Sequence, residues 1–239
     1  LALGQQHGNN DERRMSAEFE QFQAAVEKVK AQHARGQISE AVRDDTLRQM
    51  KLVDPRYGDI WMLSPNDEWF RRAKGSDRWI RDYPLALVDA DNLPAISGMT
   101  LPQIARAVHD CTRCPLHQNR TRAVPGEGAA RADMMLIGEG PGFYEDKQAR
   151  PFVGASGRFL EQLLNDIGYR REDVFITNVV KCRPPNNRDP QPEELEACEV
   201  YLKRQIELVN PKVIVTLGRY SMYRYFPGES ISKIHGRAR

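Results

Sequence analysis

The sequence Gly138-Glu139-Gly140-Pro141-Gly142-Phe143-Tyr144-Glu145-Asp146 follows the apolar run Met134–Ile137 and leads into Arg150–Gly154. This order predicts a short buried strand that ends in a glycine-rich loop. Closely spaced glycines allow the backbone to approach a ligand, and the acidic pair behind them adds polar groups at the same rim. We therefore expect this loop to form the floor of a binding pocket.

A phosphate-binding loop of the dinucleotide type is the simplest alternative for this glycine spacing. The first two glycines fit it, but Phe143 stands where the third glycine belongs, and Pro141 lacks one phosphate-binding N–H. Glu139 and Glu145 would also repel a pyrophosphate. The expected ligand is therefore less anionic than a phosphate.

Composition indicates a globular chain with one full domain and a smaller one, because 239 residues with 40% hydrophobic side chains can bury a sizeable core. No apolar run approaches the roughly 20 residues needed to cross a membrane, and no signal-peptide pattern opens the sequence, so the default compartment is the cytoplasm. The excess of basic residues lies in the second part and consists mostly of arginine, which weakly favours phosphate partners. The chain begins without methionine and ends at Arg239, so we expect a fragment at both ends.

The first hundred residues predict a disordered terminus at 1–14, a small α+β module at 15–83 and a linker at 84–100. Apolar spacing indicates two helices within 15–53, and turn residues between aromatic runs indicate a meander of strands within 57–82. All three tryptophans lie in the meander, where they would form the core of a minimal sheet. The alternative is an aromatic recognition surface, in which case the module binds an unknown protein or nucleic-acid partner.

From residue 101 to 239, predicted strands and helices alternate, which is typical of a parallel sheet covered on both faces, a three-layer α/β/α fold. The predicted strands are 133–137, 174–180 and 212–217, and the predicted helices are 155–167, 192–209 and about 219–226. Ligands of such sheets bind at the carboxyl ends of the strands. Glu139, Asn178 and Gly218 all lie at or near the carboxyl end of a predicted strand, so we expect them near the site.

The four cysteines of the chain all fall in the second domain: Cys111 and Cys114 form a C-x2-C pair, and Cys182 and Cys198 follow at wide spacing. Three interpretations are open, namely buried thiols, a zinc site and a four-thiolate iron–sulfur cluster. Zinc modules usually have two close cysteine pairs, whereas a cluster tolerates scattered ligands. Cys198 taken alone fits an apolar helical face.

Several motifs in order give this domain a specific resemblance. They are Cys111-x2-Cys114-Pro115-Leu116, Gly138-Glu139-Gly140-Pro141-Gly142, Glu145-Asp146, Arg150-Pro151-Phe152-Val153-Gly154, Ala155-Ser156-Gly157, Thr177-Asn178-Val179-Val180-Lys181-Cys182-Arg183-Pro184-Pro185 and Asn187-Arg188. From about residue 104 to the end, the chain resembles the family 4 (iron–sulfur) uracil-DNA glycosylases. The resemblance implies a hydrolase that acts on uracil-containing DNA in base-excision repair and leaves an abasic site.

The resemblance also implies the roles of individual residues. Gly140 would contribute backbone contacts to the base, Phe152 would stack on it, and Asn178 would bind its edge. Glu139 and Glu145 would line the floor, and either could position the attacking water. A [4Fe–4S] cluster is implied as the cofactor, with four cysteine ligands: Cys111, Cys114, Cys182 and Cys198.

These implied roles agree with the chemistry of the side chains. A base inside a duplex must be flipped out to reach a pocket, at a cost of a few kcal/mol, and stacking on Phe152 would offset part of that cost. The Asn178 amide can donate to uracil O4 and accept from N3–H, whereas cytosine reverses both partners. Without the resemblance, Asn178 fits a turn after a strand and Phe152 fits a core.

One departure from the family pattern concerns its second active-site motif, a histidine followed by proline and a small residue after a fourth strand. The sequence stops before that motif, so we expect a glycosylase domain that is incomplete at its C-terminus, with its fourth strand truncated. His235 is predicted to be a surface loop residue. A non-catalytic iron–sulfur module that binds uracil or single-stranded DNA is therefore the alternative function.

Overall fold

The computed structural model describes residues 3–55, 58–82, 84, 87 and 95–238. The chain divides into two compact units, Leu1–Asp89 and Ala90–Arg239. The division falls within the predicted linker 84–100, most of which lies outside the described residues. Among the described helices, none combines the length and the apolar character that crossing a membrane requires.

The first unit contains two helices and a small antiparallel sheet. Helix α1 spans Leu3–Ala34 and therefore begins inside the stretch predicted to be disordered. Gly36, at φ +70°, separates it from helix α2, Glu40–Gln49, whose N-cap Ser39 accepts a hydrogen bond from the Val42 N–H. The sheet has the order β1-β2-β3-β4, with strands β1 Leu52–Val53, β2 Ile60–Leu63, β3 Trp69–Arg72 and β4 Ile80–Arg81.

Two of the three tryptophans form the core of this unit, as the core interpretation predicts. Trp61 and Trp69 are buried, and Phe19 of α1 packs edge-on against both rings at centroid distances of 5.5 Å. Trp79 differs because it is only half-buried and has cations over its ring, Lys51 at 5.3 Å and Arg72 at 5.4 Å. The packing of Phe19 on Trp61 and Trp69 holds helix α1 to the sheet.

The second unit is built on a four-stranded mixed sheet, which confirms the α/β class. Its strands are β5 Glu127–Gly128, β6 Met134–Gly138, β7 Phe175–Asn178 and β8 Val213–Thr216, in the order β5-β7-β6-β8. Strand β6 is parallel to both β7 and β8, as predicted, whereas β5 is an antiparallel edge strand that the sequence did not predict. The central strands β6 and β7 show the buried apolar runs of a parallel sheet, whereas β8, at the other edge, is only partly buried.

Helices cover both faces of this sheet and give three layers. On one face, Leu160 and Leu164 of helix α5, Ala155–Asp166, pack against Leu136 and Ile176. On the other face, helix α6, Pro192–Val209, buries Leu202 and Val209 against the sheet. The remaining helices are α3 Leu101–His109, which packs on α6, α4 Phe143–Gln148, α7 Arg219–Tyr223 and α8 Ile231–Ile234.

Candidate active site

A pocket of about 230 Å³ opens at the carboxyl ends of β6 and β7. This is the edge of a parallel sheet at which ligands usually bind. The pocket is lined by Glu139, Gly140, Pro141, Gly142, Glu145, Phe152, Ser156, Asn178, Pro184, Asn187, Arg188 and Pro190. Every pocket residue that the family resemblance implied therefore lies in one place.

Asn178 is the last residue of β7, and its side chain is 1% exposed. Its Oδ1 atom has no hydrogen-bond partner. An amide oxygen buried in this way costs about 1–3 kcal/mol unless a ligand supplies a donor. The pocket therefore contains a buried acceptor that is oriented by the sheet and suited to an N–H group of a ligand.

Gly138 lies beside Asn178 in the parallel register and leaves room for two pocket side chains. A Cβ at Gly138 would lie 2.4 Å from Asn178 Oδ1 and 2.6 Å from Phe152 Cζ. Both distances are shorter than van der Waals contact allows. The absence of a side chain at Gly138 therefore permits the amide and the aromatic ring to meet at the pocket floor.

Phe152 is half-buried and has a left-handed backbone conformation, with φ +51°. Such a conformation costs a non-glycine residue about 1 kcal/mol or more, so the surroundings must enforce it. Arg171 Nη1 donates to the Phe152 carbonyl at 2.8 Å, and Gly157 packs so closely beneath that a Cβ there would lie 1.9 Å from the same oxygen. The ring position is thus fixed through the backbone.

A buried ionic network, centred on Glu127 of strand β5, stabilises the segment 150–154, which we call the Phe152 loop. Glu127 accepts a bidentate pair of hydrogen bonds from Arg150, at 2.8 and 2.9 Å, and a third from Arg171 Nε at 2.6 Å. Burial alone would raise the pKa of Glu127, but the two guanidinium groups outweigh it and lower that pKa to about 2. Glu127 therefore stays ionised throughout the neutral range.

The two glutamates of the pocket differ in their surroundings. Glu145 is buried, and its Oε1 accepts hydrogen bonds from the N–H groups of Val153 and Gly154, each at 2.8 Å. Glu139 is half-buried at the rim, where burial and the charge of Asp189 raise its pKa. Glu145 is thus engaged in holding the loop, whereas the Glu139 carboxylate lies at the pocket opening.

Gly140 lies against the chain that follows β7. A Cβ at Gly140 would lie 2.8 Å from Val180 Cγ2, and the Val180 N–H donates to the Glu139 carbonyl at 3.1 Å. A larger residue at position 140 would therefore push this segment away from the pocket. His235 lies elsewhere, because it is exposed after α8 and does not line the pocket.

The four cysteines line a second, apolar cavity between α3, α6 and the segment after β7. None forms a disulfide. Burial raises the pKa of Cys114 and Cys182, and raises that of Cys198 to about 12. In the described part of the chain, no group of three or more His, Cys, Asp or Glu side chains is arranged to hold a single metal ion.

Sequence reasoning missed the network that positions Phe152. Glu127 lies on a two-residue strand without a hydrophobic period, and Arg171 lies in a short 3-10 helix far from the loop in sequence. Arg150 stands out in the sequence only as part of a motif. Arg171 lies three residues before the predicted strand 174–180, but a charged residue beside a buried strand is too common to indicate a role.

One protein family and several curated proteins are similar in sequence to this chain. Residues 125–238 match the uracil DNA glycosylase superfamily. The type-4 uracil-DNA glycosylase of Sulfurisphaera tokodaii is 53% identical over 145 residues, 58% of this chain and 66% of that protein. The type-4 uracil-DNA glycosylase of Archaeoglobus fulgidus is 49% identical over 143 residues, 58% of this chain and 72% of that protein.

A third protein, the type-4 uracil-DNA glycosylase of Thermotoga maritima, is 53% identical over 135 residues, 56% of this chain and 70% of that protein. The chain spans about two thirds of the length of these curated relatives. This coverage and identity establish the relationship. The chain belongs to the uracil-DNA glycosylase superfamily and, within it, to the type-4 uracil-DNA glycosylases.

Proposed function

We propose that this chain removes uracil from DNA in base-excision repair, by hydrolysing the N-glycosidic bond of a flipped deoxyuridine to leave an abasic site. The single observation that supports this most is the buried Asn178 Oδ1 without a partner, beside the Phe152 ring at the floor of a pocket of about 230 Å³. A planar base with one N–H and one adjacent carbonyl fits this combination. Family membership supports uracil as that base.

Recognition follows from the amide of Asn178. Its Oδ1 accepts from uracil N3–H and its Nδ2 donates to uracil O4, while Phe152 stacks on one face of the base. Cytosine presents an acceptor at N3 and an amino group at position 4. Binding it would leave two buried polar groups without partners, each at a cost of about 1–3 kcal/mol.

The reaction breaks the C1′–N1 bond, and the electron pair leaves with uracil. The charge of the departing anion spreads onto its carbonyl oxygens, so the hydrogen bond from Asn178 Nδ2 to O4 becomes stronger in the transition state. Water then bonds to C1′, and the proton that it loses neutralises the uracil anion. We assign the orientation of this water to Glu139, since the Glu145 carboxylate accepts two loop N–H groups.

A direct assay of base excision tests this function. Purified protein is incubated with oligonucleotides that contain one uracil, thymine or cytosine, and abasic sites are revealed by alkaline cleavage. Excision of uracil alone is expected. Tight binding of the uracil oligonucleotide without abasic sites would instead support the non-catalytic binding module.

Phe152→Ala is expected to weaken capture of the flipped base by about 1–3 kcal/mol, because stacking on the ring is lost. Uracil excision should therefore fall by about 5- to 150-fold in kcat/KM. The matched control is Phe159→Ala, since Phe159 is 61% exposed on α5 and does not line the pocket. Equal activities of the two variants would contradict the stacking role.

The cysteine cavity suits a [4Fe–4S] cluster, and we propose Cys111, Cys114, Cys182 and Cys198 as its ligands. All four line one cavity, although in the described residues they are not placed close enough together to hold a single metal ion. A four-iron cluster is wider than one zinc ion, so its ligands can lie farther apart. Such a cluster would cross-link α3, α6 and the segment after β7. Four free cysteines also agree with the reducing cytoplasm predicted from the sequence.

Protein purified without oxygen is expected to contain iron and acid-labile sulfide at about four atoms of each per chain, and little zinc. Cys198→Ser should lose both and lower the thermal midpoint, because it removes a ligand from α6. The measurements are metal analysis, sulfide assay and thermal unfolding. One zinc per chain without sulfide would contradict the cluster.

A further inference from the structure

Helix α4 presents two exposed aromatic rings next to the pocket. Phe143 is 44% exposed and Tyr144 is 58% exposed, and their rings meet edge-to-face with centroids 5.4 Å apart. Phe143 follows Gly142, which lines the pocket, and Tyr144 packs near Gly154 at the start of α5. Neighbouring exposed aromatics of this size usually indicate a contact surface.

Two cations accompany these rings. Lys147 Nζ lies 4.4 Å and Arg183 Cζ lies 5.2 Å from the centroid of the Phe143 ring. Arg183 directly precedes Pro184, another pocket residue, and its Nε donates to Asn187 at 2.7 Å. The aromatic pair and the two cations therefore form one continuous patch at the rim, which we name the α4 patch.

We propose that the α4 patch binds the unpaired DNA strand beside the flipped uracil, with Tyr144 stacking on a neighbouring base and Lys147 and Arg183 contacting phosphates. This inference rests on the proposed function and extends it to the strand outside the pocket. Aromatic rings with basic neighbours are the usual means of binding single-stranded DNA, because an unpaired base exposes its faces. In a duplex, stacking covers those faces, so the patch favours unpaired substrate.

The residues of the α4 patch have different roles in this proposal. Tyr144 is the more exposed ring and provides the stacking surface, whereas the Phe143 ring lies under the two cations and supports them. Loss of Tyr144 should therefore weaken binding without changing its dependence on salt. Loss of Lys147 should reduce the salt dependence, because one counterion fewer is released from the strand.

The binding test uses a short fluorescein-labelled single strand with one 2′-fluoro-deoxyuridine, which resists cleavage of the glycosidic bond. Tyr144→Ala is expected to raise Kd by about 5- to 150-fold, and Tyr144→Phe to restore most of the affinity. Phe159→Ala, an exposed aromatic on α5, serves as the control and should bind as the wild type does. Wild-type affinity of Tyr144→Ala would overturn the proposal.

The salt test measures log Kd against log salt for the same strand. Lys147→Gln should reduce the slope by about 0.7, the value for one phosphate contact on a single strand, while Tyr144→Ala leaves the slope unchanged. Lys203→Gln, at an exposed position on α6, is the control. An unchanged slope for Lys147→Gln would remove the phosphate contact from the proposal.

The excision and binding assays give different results depending on whether the α4 patch proposal or the proposed function is wrong. If the wild type excises uracil and Tyr144→Ala matches it in affinity and in rate on single strands, the patch is wrong and the function stands. If the wild type excises nothing but Tyr144→Ala still weakens binding, the function is wrong and the strand contact stands. Circular dichroism of each variant verifies folding, which the exposed position of Tyr144 should leave intact.

Discussion

Asn178→Ala is expected to reduce uracil excision by about 30- to 25,000-fold while leaving the fold intact, because two hydrogen bonds of about 1–3 kcal/mol each are lost. The substitution also removes a buried oxygen that has no hydrogen-bond partner. The free energy of unfolding should therefore fall by no more than the cost of the cavity that the amide group leaves. The bond to O4 strengthens as charge develops, so kcat should fall as well as kcat/KM. Steady-state excision and thermal unfolding measure the two effects.

Asn165→Ala provides the control for this result, because Asn165 is exposed on α5 and lies outside the pocket. Asn178→Asp adds information on specificity, since a protonated carboxyl presents a donor and an acceptor that suit cytosine. Near-normal excision by a folded Asn178→Ala variant would show that the base is recognised elsewhere. That outcome would contradict the pocket assignment but not the family.

Glu127→Gln is expected to lower the free energy of unfolding by about 3–5 kcal/mol, because Arg150 and Arg171 would then remain buried without a countercharge. Excision should fall too, since Arg171 also holds the Phe152 carbonyl. Glu207→Gln is the matched control: Glu207 pairs with Arg204 at 3.0 Å but is 60% exposed, so its removal should cost at most about 1 kcal/mol. Equal effects of the two substitutions would contradict the network.

The same network predicts how stability depends on pH. The pKa of Glu127 is about 2 in the folded chain against an ordinary value of 4.5, so the folded state holds the proton less tightly than the unfolded state. The resulting stabilisation, about 3 kcal/mol, is complete above pH 4.5 and is lost as the pH falls towards 2. Denaturant unfolding between these values should show this loss in the wild type, and the loss should shrink in Glu127→Gln.

Capping residues and apolar spacing in the sequence predicted most of the helices and central strands of the second unit. Helix α6 begins at Pro192 and ends at Val209, within the bounds that its capping residues and apolar spacing indicate. Strand β7 was predicted over 174–180 but spans Phe175–Asn178, because the buried apolar side chains extend beyond both of its ends. Burial and strand pairing end at different residues there, and hydrophobicity reports only burial.

Features that depend on distant residues could not be predicted in the same way. Strands β1 and β5 have two residues each, too few to show a period, and they exist because a neighbouring strand offers free backbone groups. Likewise, the bond between Arg171 and the Phe152 loop joins residues far apart in sequence. The placement of Glu139 and Asn178 in one pocket was predictable because strand ends of a parallel sheet converge, whereas Phe152 follows no strand and was assigned to the pocket only through the family resemblance.

The crowded floor at Gly138 has a consequence for protein engineering. Since a Cβ at this position would meet both the amide and the ring, no side chain can be introduced there to reshape the pocket. Libraries that aim at another base should therefore keep glycine at 138 and randomise Asn178 together with Phe152. Because these two side chains share the space above one glycine, favourable substitutions at the two positions should arise in pairs, and screening one position at a time would miss them.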